Sequence, residues 1–360
     1  MDMDYSKVYE NLLMAHAFLP YYLGNGRAFS PIRVQIELTG KCNLNCQLCF
    51  QGEAYRKGEN ELSFAEIIRI IDQVPRYTLL TLSGGEPLIK ESITDILDYA
   101  LTKHHCNIIT NGVLLNEDIV KLIINKRLVL LNVSVDGTGN IHDELRGVNG
   151  TFDKVKENLL LLKEYKEKTK SKFPLIDIKT LINMKNIPQL EDLYQFCETV
   201  GADFLTLSLI KNNDIQFNGS ILYDDLNSNI FYKEYSITNY INLQQLITML
   251  KRLDKIKRKV KIRYYPRFKN YKLIEGCYDK IEAGKNFYYS PCYEPWAGFQ
   301  VNAQGKVYPC LAYCAGDVRR DNLKDIWNSK PFIEFRTRLK KLKLFPACAG
   351  CCYLKIRSKK

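Results

Sequence analysis

The stretch from Ile32 to Phe50 reads IRVQIELTGKCNLNCQLCF. Its opening, Ile32–Leu38, is a short run of apolar and β-branched residues, the pattern of a strand. Three cysteines follow, Cys42, Cys46 and Cys49, spaced C-x3-C-x2-C. Thiolates this close in sequence can each reach a different iron of one cubane. Three ligands leave one iron open to an outside molecule, whereas a closed electron-transfer cluster carries four cysteines. A zinc site usually shows paired C-x2-C motifs or nearby histidines, and the chain has four His. On spacing alone, zinc and three unrelated thiols stay open as alternatives.

Outward from this stretch, strand-like and helix-like segments alternate. Strands are predicted over Ile32–Leu38, Thr78–Ser83, Cys106–Thr110, Leu128–Val135, Leu175–Ile182 and Phe204–Leu209. Their nearly continuous apolar runs suggest parallel strands covered on both faces. Helical periods follow Leu62, Ser92 and Thr151. Ser63 with Glu66 completes a capping box, and Thr151 offers a hydroxyl at a helix start. Another helix is expected near Leu243–Ile256, followed by the strand VKIRYY, with a loop insertion over Lys211–Asn239. Repeated strand–helix units imply an α/β chain with a parallel sheet, open or closed into a barrel. The texture changes near Gly276, where Gly, Pro and Cys become frequent. The expected domains are a helical lead-in over 1–30, a core over 31–275 and a cysteine-rich unit over 276–360.

The 46% hydrophobic and 26% charged composition is ordinary for a globular protein. No apolar run approaches the roughly 18 residues that suggest a transmembrane helix, and the start, MDMDYSKVYE, does not read as a secretory signal. Twelve cysteines in a long chain without a signal point to a reducing cytoplasm and to cluster ligands. The net charge of +12 gathers over Lys251–Lys272 and Lys330–Lys360. Such a face suits RNA, an acidic peptide or a phosphorylated metabolite, and equally a solvated surface.

Four further motifs each follow a predicted strand: SGGEP (Ser83–Pro87), TNG (Thr110–Gly112), SVDG (Ser134–Gly137) and HDELRG (His142–Gly147). Paired glycines let a backbone approach a ligand closely, and the Arg146 guanidinium matches a carboxylate fork. All lie at the C-terminal ends of parallel strands, where β/α folds build ligand sites. With the cysteines, this set resembles the radical SAM superfamily. The resemblance implies a partial (β/α)6 barrel and a [4Fe–4S] cluster on Cys42, Cys46 and Cys49, its open iron chelated by S-adenosylmethionine. It also implies an adenine contact from the backbone at Leu48 and a methionine amino contact at Gly84, Gly85, Glu86 and Pro87. Asn111 joins these contacts, Ser134 and Asp136 lie near ribose and methionine, and Arg146 meets the methionine carboxylate.

Near the C-terminus, Cys292 and Cys310 stand in C-x12-G-x4-C, and ACAGCCY carries Cys348, Cys351 and Cys352. VNAQGKVYPC reads as a hairpin ending in a cysteine. A zinc ribbon is one reading. The pattern also resembles a small twitch/SPASM-like domain, which implies one auxiliary [4Fe–4S] cluster on Cys292, Cys310, Cys348 and Cys351. The short tail after Cys351 favours one cluster over two. Cys277, Cys314 and Cys352 remain as spare ligands or hydrogen donors, and Cys106 and Cys197 as buried thiols.

The expected activity is reductive cleavage of S-adenosylmethionine to a 5′-deoxyadenosyl radical, hydrogen abstraction, and oxidation, cross-linking or epimerisation of a peptide or protein residue. The segment Phe287–Tyr289 and the basic stretches would suit a flexible acidic chain. Against this, only 41 residues precede Cys42, fewer than the leader-binding domain of some peptide-modifying relatives occupies. The alternatives are a dehydrogenase or dehydratase of a carbohydrate or aminocyclitol-like small molecule and, as a minor variant, an RNA-modifying enzyme. An electron carrier without catalysis would leave SGGEP and SVDG purposeless. The expected partners are the substrate and a reductant such as flavodoxin or ferredoxin, with no membrane, and with nucleic acid entering only through the minor RNA-modifying variant. No catalytic acid or base is assigned.

Overall fold

Arg33–Glu37 (β1), Leu79–Ser83 (β2), Cys106–Thr110 (β3), Leu130–Ser134 (β4), Leu175–Ile182 (β5), Phe204–Leu209 (β6) and Lys261–Tyr265 (β7) lie side by side in that order, all parallel. The computed structural model describes residues 15–51, 57–209, 223–229, 241–256, 259–268, 271–274, 289–310, 312–348 and 351–356. Each crossover carries a helix: Phe64–Gln73, Ile93–Lys103, Glu117–Asn125, Thr151–Thr169, Leu190–Thr199 and Leu243–Leu253. Parallel neighbours need such crossovers, and their common hand curls the sheet into an open barrel with the helices outside.

The helices begin where local chemistry favours them. Ser63 Oγ accepts from Glu66 N at 3.3 Å, and Glu66 Oε2 accepts from Ser63 N at 2.8 Å, the expected capping box. Ile67, Ile70 and Ile71 of this helix are buried, one stripe at i, i+3, i+4 spacing. Thr151 departs from expectation. It is the first helical residue, behind Gly150 in the left-handed region, and its hydroxyl donates to Val148 O at 2.6 Å.

The strands also depart from the prediction of two apolar faces. Val34, Ile36, Leu80, Leu82, Leu131 and Ile178 are fully buried and face the helices. Their neighbours Gln35, Glu37, Thr81, Asn132, Asp177 and Thr206 turn the other way, into the barrel. Burying each aliphatic side chain contributes roughly 1.5–3 kcal/mol on the helix side. The inward-facing wall is therefore polar.

The cysteine-rich segment joins the same sheet. Gly298–Val301 (β8) pairs in parallel with β1, and Lys306–Tyr308 (β9) and Gly316–Asp317 (β10) continue antiparallel beyond it. The hairpin expected from VNAQGKVYPC is therefore present, built onto the barrel's free edge. The boundary expected at Gly276, with Cys277, Phe287 and most of Lys211–Asn239, lies outside the described residues. Residues 15–23 of the expected lead-in are helical up to Gly24. No described helix is long and apolar enough to cross a membrane.

Candidate active site

The loop from Thr39 to Cys49 leaves β1 and is clamped from two sides. On one side, Gly85 N donates to Thr39 O at 2.8 Å and Glu86 N to Lys41 O at 2.9 Å. The approach is so close that a Cβ at Gly84 would lie 2.3 Å from the Thr39 carbonyl oxygen, and Gly84 has φ +143°. Only glycine satisfies both conditions. On the other side, Asn45 N donates to Arg146 O at 3.1 Å and Gln47 N to Leu145 O at 2.9 Å. Below the loop, Glu61 Oε1 accepts from Thr39 Oγ1 and Gly40 N, both at 2.7 Å.

Glu86 is fully buried. Its Oε1 accepts from Thr110 Oγ1 at 2.7 Å and Leu88 N at 3.0 Å, and its Oε2 from Asn111 N at 2.7 Å. SGGEP is thus locked onto TNG. Burial pushes the carboxyl up to about 7, opposed by these donors. Pro87 opens the single 3-10 turn that follows. Asn111 extends the link: its Nδ2 donates to Asn43 Oδ1 at 2.8 Å and lies 3.9 Å from Cys42 Sγ.

Asp136 and Arg146 form a buried pair, Oδ2 to Nη2 at 2.8 Å. Asp136 Oδ1 accepts from Leu181 N at 2.8 Å, and Asp136 N donates to His142 Nδ1 at 3.2 Å. Arg146 Nη1 lies 3.6 Å from Cys46 Sγ, while its buried Nε has no hydrogen-bond partner among the described residues. Ser134 ends β4, half-buried and in register with Lys179. Leu48 packs against the core edge, and Phe50 is exposed. The structure therefore brings Cys42, Cys46, Cys49, Gly84, Gly85, Glu86, Asn111, Asp136 and Arg146 into one bonded cluster at the barrel rim.

None of the eleven described cysteines is disulfide-bonded. The donor types match those of iron–sulfur clusters, while among the described residues no group of three or more His, Cys, Asp or Glu side chains is arranged to hold a metal ion. Burial pushes the Cys42 thiol up to about 11, aided by the charges of Glu86, Cys46 and Cys49. A thiolate there needs cationic compensation, which a bound cluster supplies. Side-chain N–H groups of Asn111 and Arg146 already approach the sulfurs. At the C-terminal set, burial pushes the Cys292 thiol well up, and the charges of Cys310, Glu294, Cys351 and Cys348 push the same way. Four thiols of low exposure are a soft donor set, with the Glu294 carboxylate nearby. Cys314 sits elsewhere, its Sγ 3.6 Å from Gly316 O and its surroundings set by Lys306, Asp317 and Asp224. Cys352 acts on the Tyr353 phenol together with Glu294 and Cys310, which places it beside the C-terminal set. Cys106 and Cys197 are fully buried, and burial pushes the Cys106 thiol up to about 12, as inert structural thiols require.

Several residues that organise these sites were not singled out from sequence. Arg33 of β1 pairs with Glu294 at 2.6 Å, and its guanidinium lies 4.6 Å from the Tyr353 ring centroid. Glu294 is two residues past Cys292 and Tyr353 two past Cys351, so one arginine gathers both halves of the C-terminal set. Tyr308, two residues before Cys310, donates to Glu37 Oε1 at 3.0 Å. The available signal was spacing: polar residues two places from a cysteine, on short strands.

The chain matches the family described as Radical SAM superfamily over residues 36–197, and that described as an iron-sulfur cluster-binding domain, SPASM, over residues 292–352. It is 26% identical over 340 residues to an AdoMet-dependent heme synthase of Methanosarcina barkeri (strain Fusaro / DSM 804), covering 91% of this chain and 90% of that one. It is 29% identical over 184 residues to the sporulation killing factor maturation protein SkfB of Bacillus subtilis (strain 168), covering 50% of this chain and 42% of that one. In fold it resembles Streptococcus suis SuiB bound to precursor peptide SuiA, with TM-score 0.66, 17% identity, and coverage of 96% of this chain and 77% of that chain.

Proposed function

We propose, for a chain that belongs to the radical SAM superfamily and carries a SPASM domain, that it modifies a residue of a peptide or protein by net oxidation, cross-linking or epimerisation. The observation that carries this is the continuity of one sheet. Through β8 on β1, the strand leading to Cys42 and the hairpin leading to Cys310 border the same chamber. When bound, the cofactors supply reductive cleavage of S-adenosylmethionine, a hydrogen-abstracting 5′-deoxyadenosyl radical and, at the auxiliary cluster, an acceptor for the electron left on substrate. Cys42, Cys46 and Cys49 would hold the first cluster, and Cys292, Cys310, Cys348 and Cys351 one auxiliary cluster.

The chain's own residues fix the geometry around these groups. Gly84 and Gly85 let the turn pack directly against the cluster loop, where the motif would receive the methionine amino group, with Glu86 and Pro87 holding the turn from behind. Arg146 Nε, a buried donor without a described partner, would hold the methionine carboxylate, and Asp136 holds the guanidinium in place. Ser134, Asn111 and the Leu48 backbone complete the cofactor wall. The likeness to a maturation protein over half the chain supports a peptide substrate, as does the similar fold of SuiB bound to a precursor peptide. A second reading, a small-molecule substrate, is favoured by the near-full-length likeness to an AdoMet-dependent heme synthase. A domain division near residue 276, a cytoplasmic setting and a flavodoxin or ferredoxin reductant complete the proposal.

The test is anaerobic reconstitution with iron and sulfide counts, beside a variant lacking Cys42, Cys46 and Cys49. About eight irons per chain, falling to about four with loss of 5′-deoxyadenosine formation, is the expected result. Host peptides, added as a separated fraction, are expected to raise turnover. A rise with small metabolites alone would replace the peptide reading by the second.

A further inference from the structure

On the barrel wall formed by β5, β6 and β7, two cations share one carboxylate. Asp177 Oδ2 meets Arg263 Nη2 at 2.6 Å, and Oδ1 accepts from Thr206 Oγ1 at 2.7 Å. Arg263 Nε donates to the same hydroxyl at 3.2 Å, and its guanidinium lies 3.8 Å from the Phe204 ring centroid. With side chains 1% and 14% exposed, Asp177 and Arg263 are a satisfied structural pair.

Lys179 is different. Its ammonium stands 3.5 Å from an Asp177 oxygen already engaged by Arg263, and 5.7 Å from the Tyr265 ring centroid. Its side chain is 34% exposed. The lysine points inward, sharing a face with Asp177, Arg263 and Tyr265, while Ile178 and Thr180 turn towards the helices. In register it lies between Ser134 of β4 and Thr206 of β6, within the layer that contains the proposed cofactor wall. Of these three groups, Asp177 is the one anion and Arg263 and Lys179 are two cations, so the cluster carries one net positive charge. A concave, partly desolvated wall strengthens the attraction of such a charge for an anion.

We infer that Lys179 holds a carboxylate of the substrate and sets a preference for acidic substrates. This rests on the substrate chamber proposed above. An Asp or Glu side chain of a peptide and a free dicarboxylic small molecule present the same chemistry. The ammonium serves as the charge-assisted donor, and the Tyr265 ring limits the space beside it.

The test uses cluster-loaded, S-adenosylmethionine-saturated holoenzyme and reads binding by calorimetry, so it needs no turnover. The probes are acetyl-Gly-Glu-Gly-amide, its Gln and Lys counterparts, and glutarate. The Glu peptide is expected to bind about tenfold tighter than the Gln peptide, the size of one charge-assisted hydrogen bond. Lys179→Met erases that ratio, Lys179→Arg keeps most of it, and Lys179→Glu turns the preference towards the Lys peptide. Lys179-dependent binding of glutarate without peptide discrimination assigns the carboxylate to a small molecule and supports the lysine's role. Iron content and melting temperature establish that each variant is loaded and folded. A Glu-over-Gln ratio that survives in Lys179→Met overturns the inference. So does the absence of any carboxylate preference in the fully loaded wild type, or a Lys179→Met effect confined to S-adenosylmethionine affinity. A shortfall in iron in the wild type would instead count against the two-cluster reading.

Discussion

The phenol of Tyr308 donates to Glu37 Oε1 across 3.0 Å, joining the hairpin that leads to Cys310 with the strand that leads to Cys42. Both side chains are buried and face the chamber. Replacing Tyr308 by Phe removes one charge-assisted hydrogen bond, a loss of about 1.5–3 kcal/mol. The expected outcome is a lower urea midpoint together with weaker retention of auxiliary iron. An unchanged midpoint and full iron would show that β8 and Arg33 hold the hairpin without this contact.

Gly147 has φ +71°, and a Cβ there would lie 2.3 Å from Asn45 O in the cluster loop. Gly147→Ala therefore adds backbone strain to a backbone clash, at a cost of roughly 2 kcal/mol or more. We expect reduced iron on the Cys42, Cys46 and Cys49 site and reduced 5′-deoxyadenosine formation, with the auxiliary site loaded. Full iron at both sites would refute the view that the Leu145–Gly147 corner shapes the loop.

His142 is fully buried, and burial, then the Arg146 charge, depresses its ring to about 3. It stays neutral in the fold while the unfolded chain takes up a proton near pH 6.5. Its contribution is thus complete above pH 6.5 and is lost as pH falls from 6.5 towards 3, at up to about 1.4 kcal/mol per pH unit. Urea midpoints at pH 7 and pH 5.5 are expected to differ less in His142→Asn than in the wild type. Equal pH sensitivity in the two proteins would remove His142 from the account.

Arg336 is fully buried in the helix Lys330–Leu342, and burial lowers its guanidinium to about 9. It donates to Pro295 O at 2.7 Å, Gly26 O at 3.2 Å and Asn328 Oδ1 at 3.0 Å, and stacks 4.1 Å from the Trp327 ring centroid. It thereby ties the segment after Cys292 to the N-terminal loop. Arg336→Met is expected to destabilise by roughly 3 kcal/mol, since these buried acceptors lose their donor. Thermal unfolding of the reconstituted protein reads this directly, and a change within half a degree would contradict it.

Much of the architecture was legible because its signals are local. A capping box at Ser63 and Glu66, aliphatic runs on β1 to β6, and the motifs that follow β1 to β4 depend on residues near one another in the chain. The cysteine spacing at Cys42, Cys46 and Cys49 belongs to the same class, since a short loop confines three thiols whatever the rest of the chain does.

Order along the chain was thus enough to set the kind of chemistry: thiol ligands, the glycine-lined turn at Gly84, and parallel strands that present their motifs at one rim. Tertiary structure alone decided which side chains meet across that rim. Strand register turned Asp177, Lys179 and Arg263 inward and made the chamber wall polar. Parallel pairing of β8 with β1 set Tyr308 against Glu37 and Arg33 against Glu294, contacts between residues more than 250 positions apart. Such contacts follow from how strands align in space, and alternation along one strand does not reveal which residue of another strand will stand beside it.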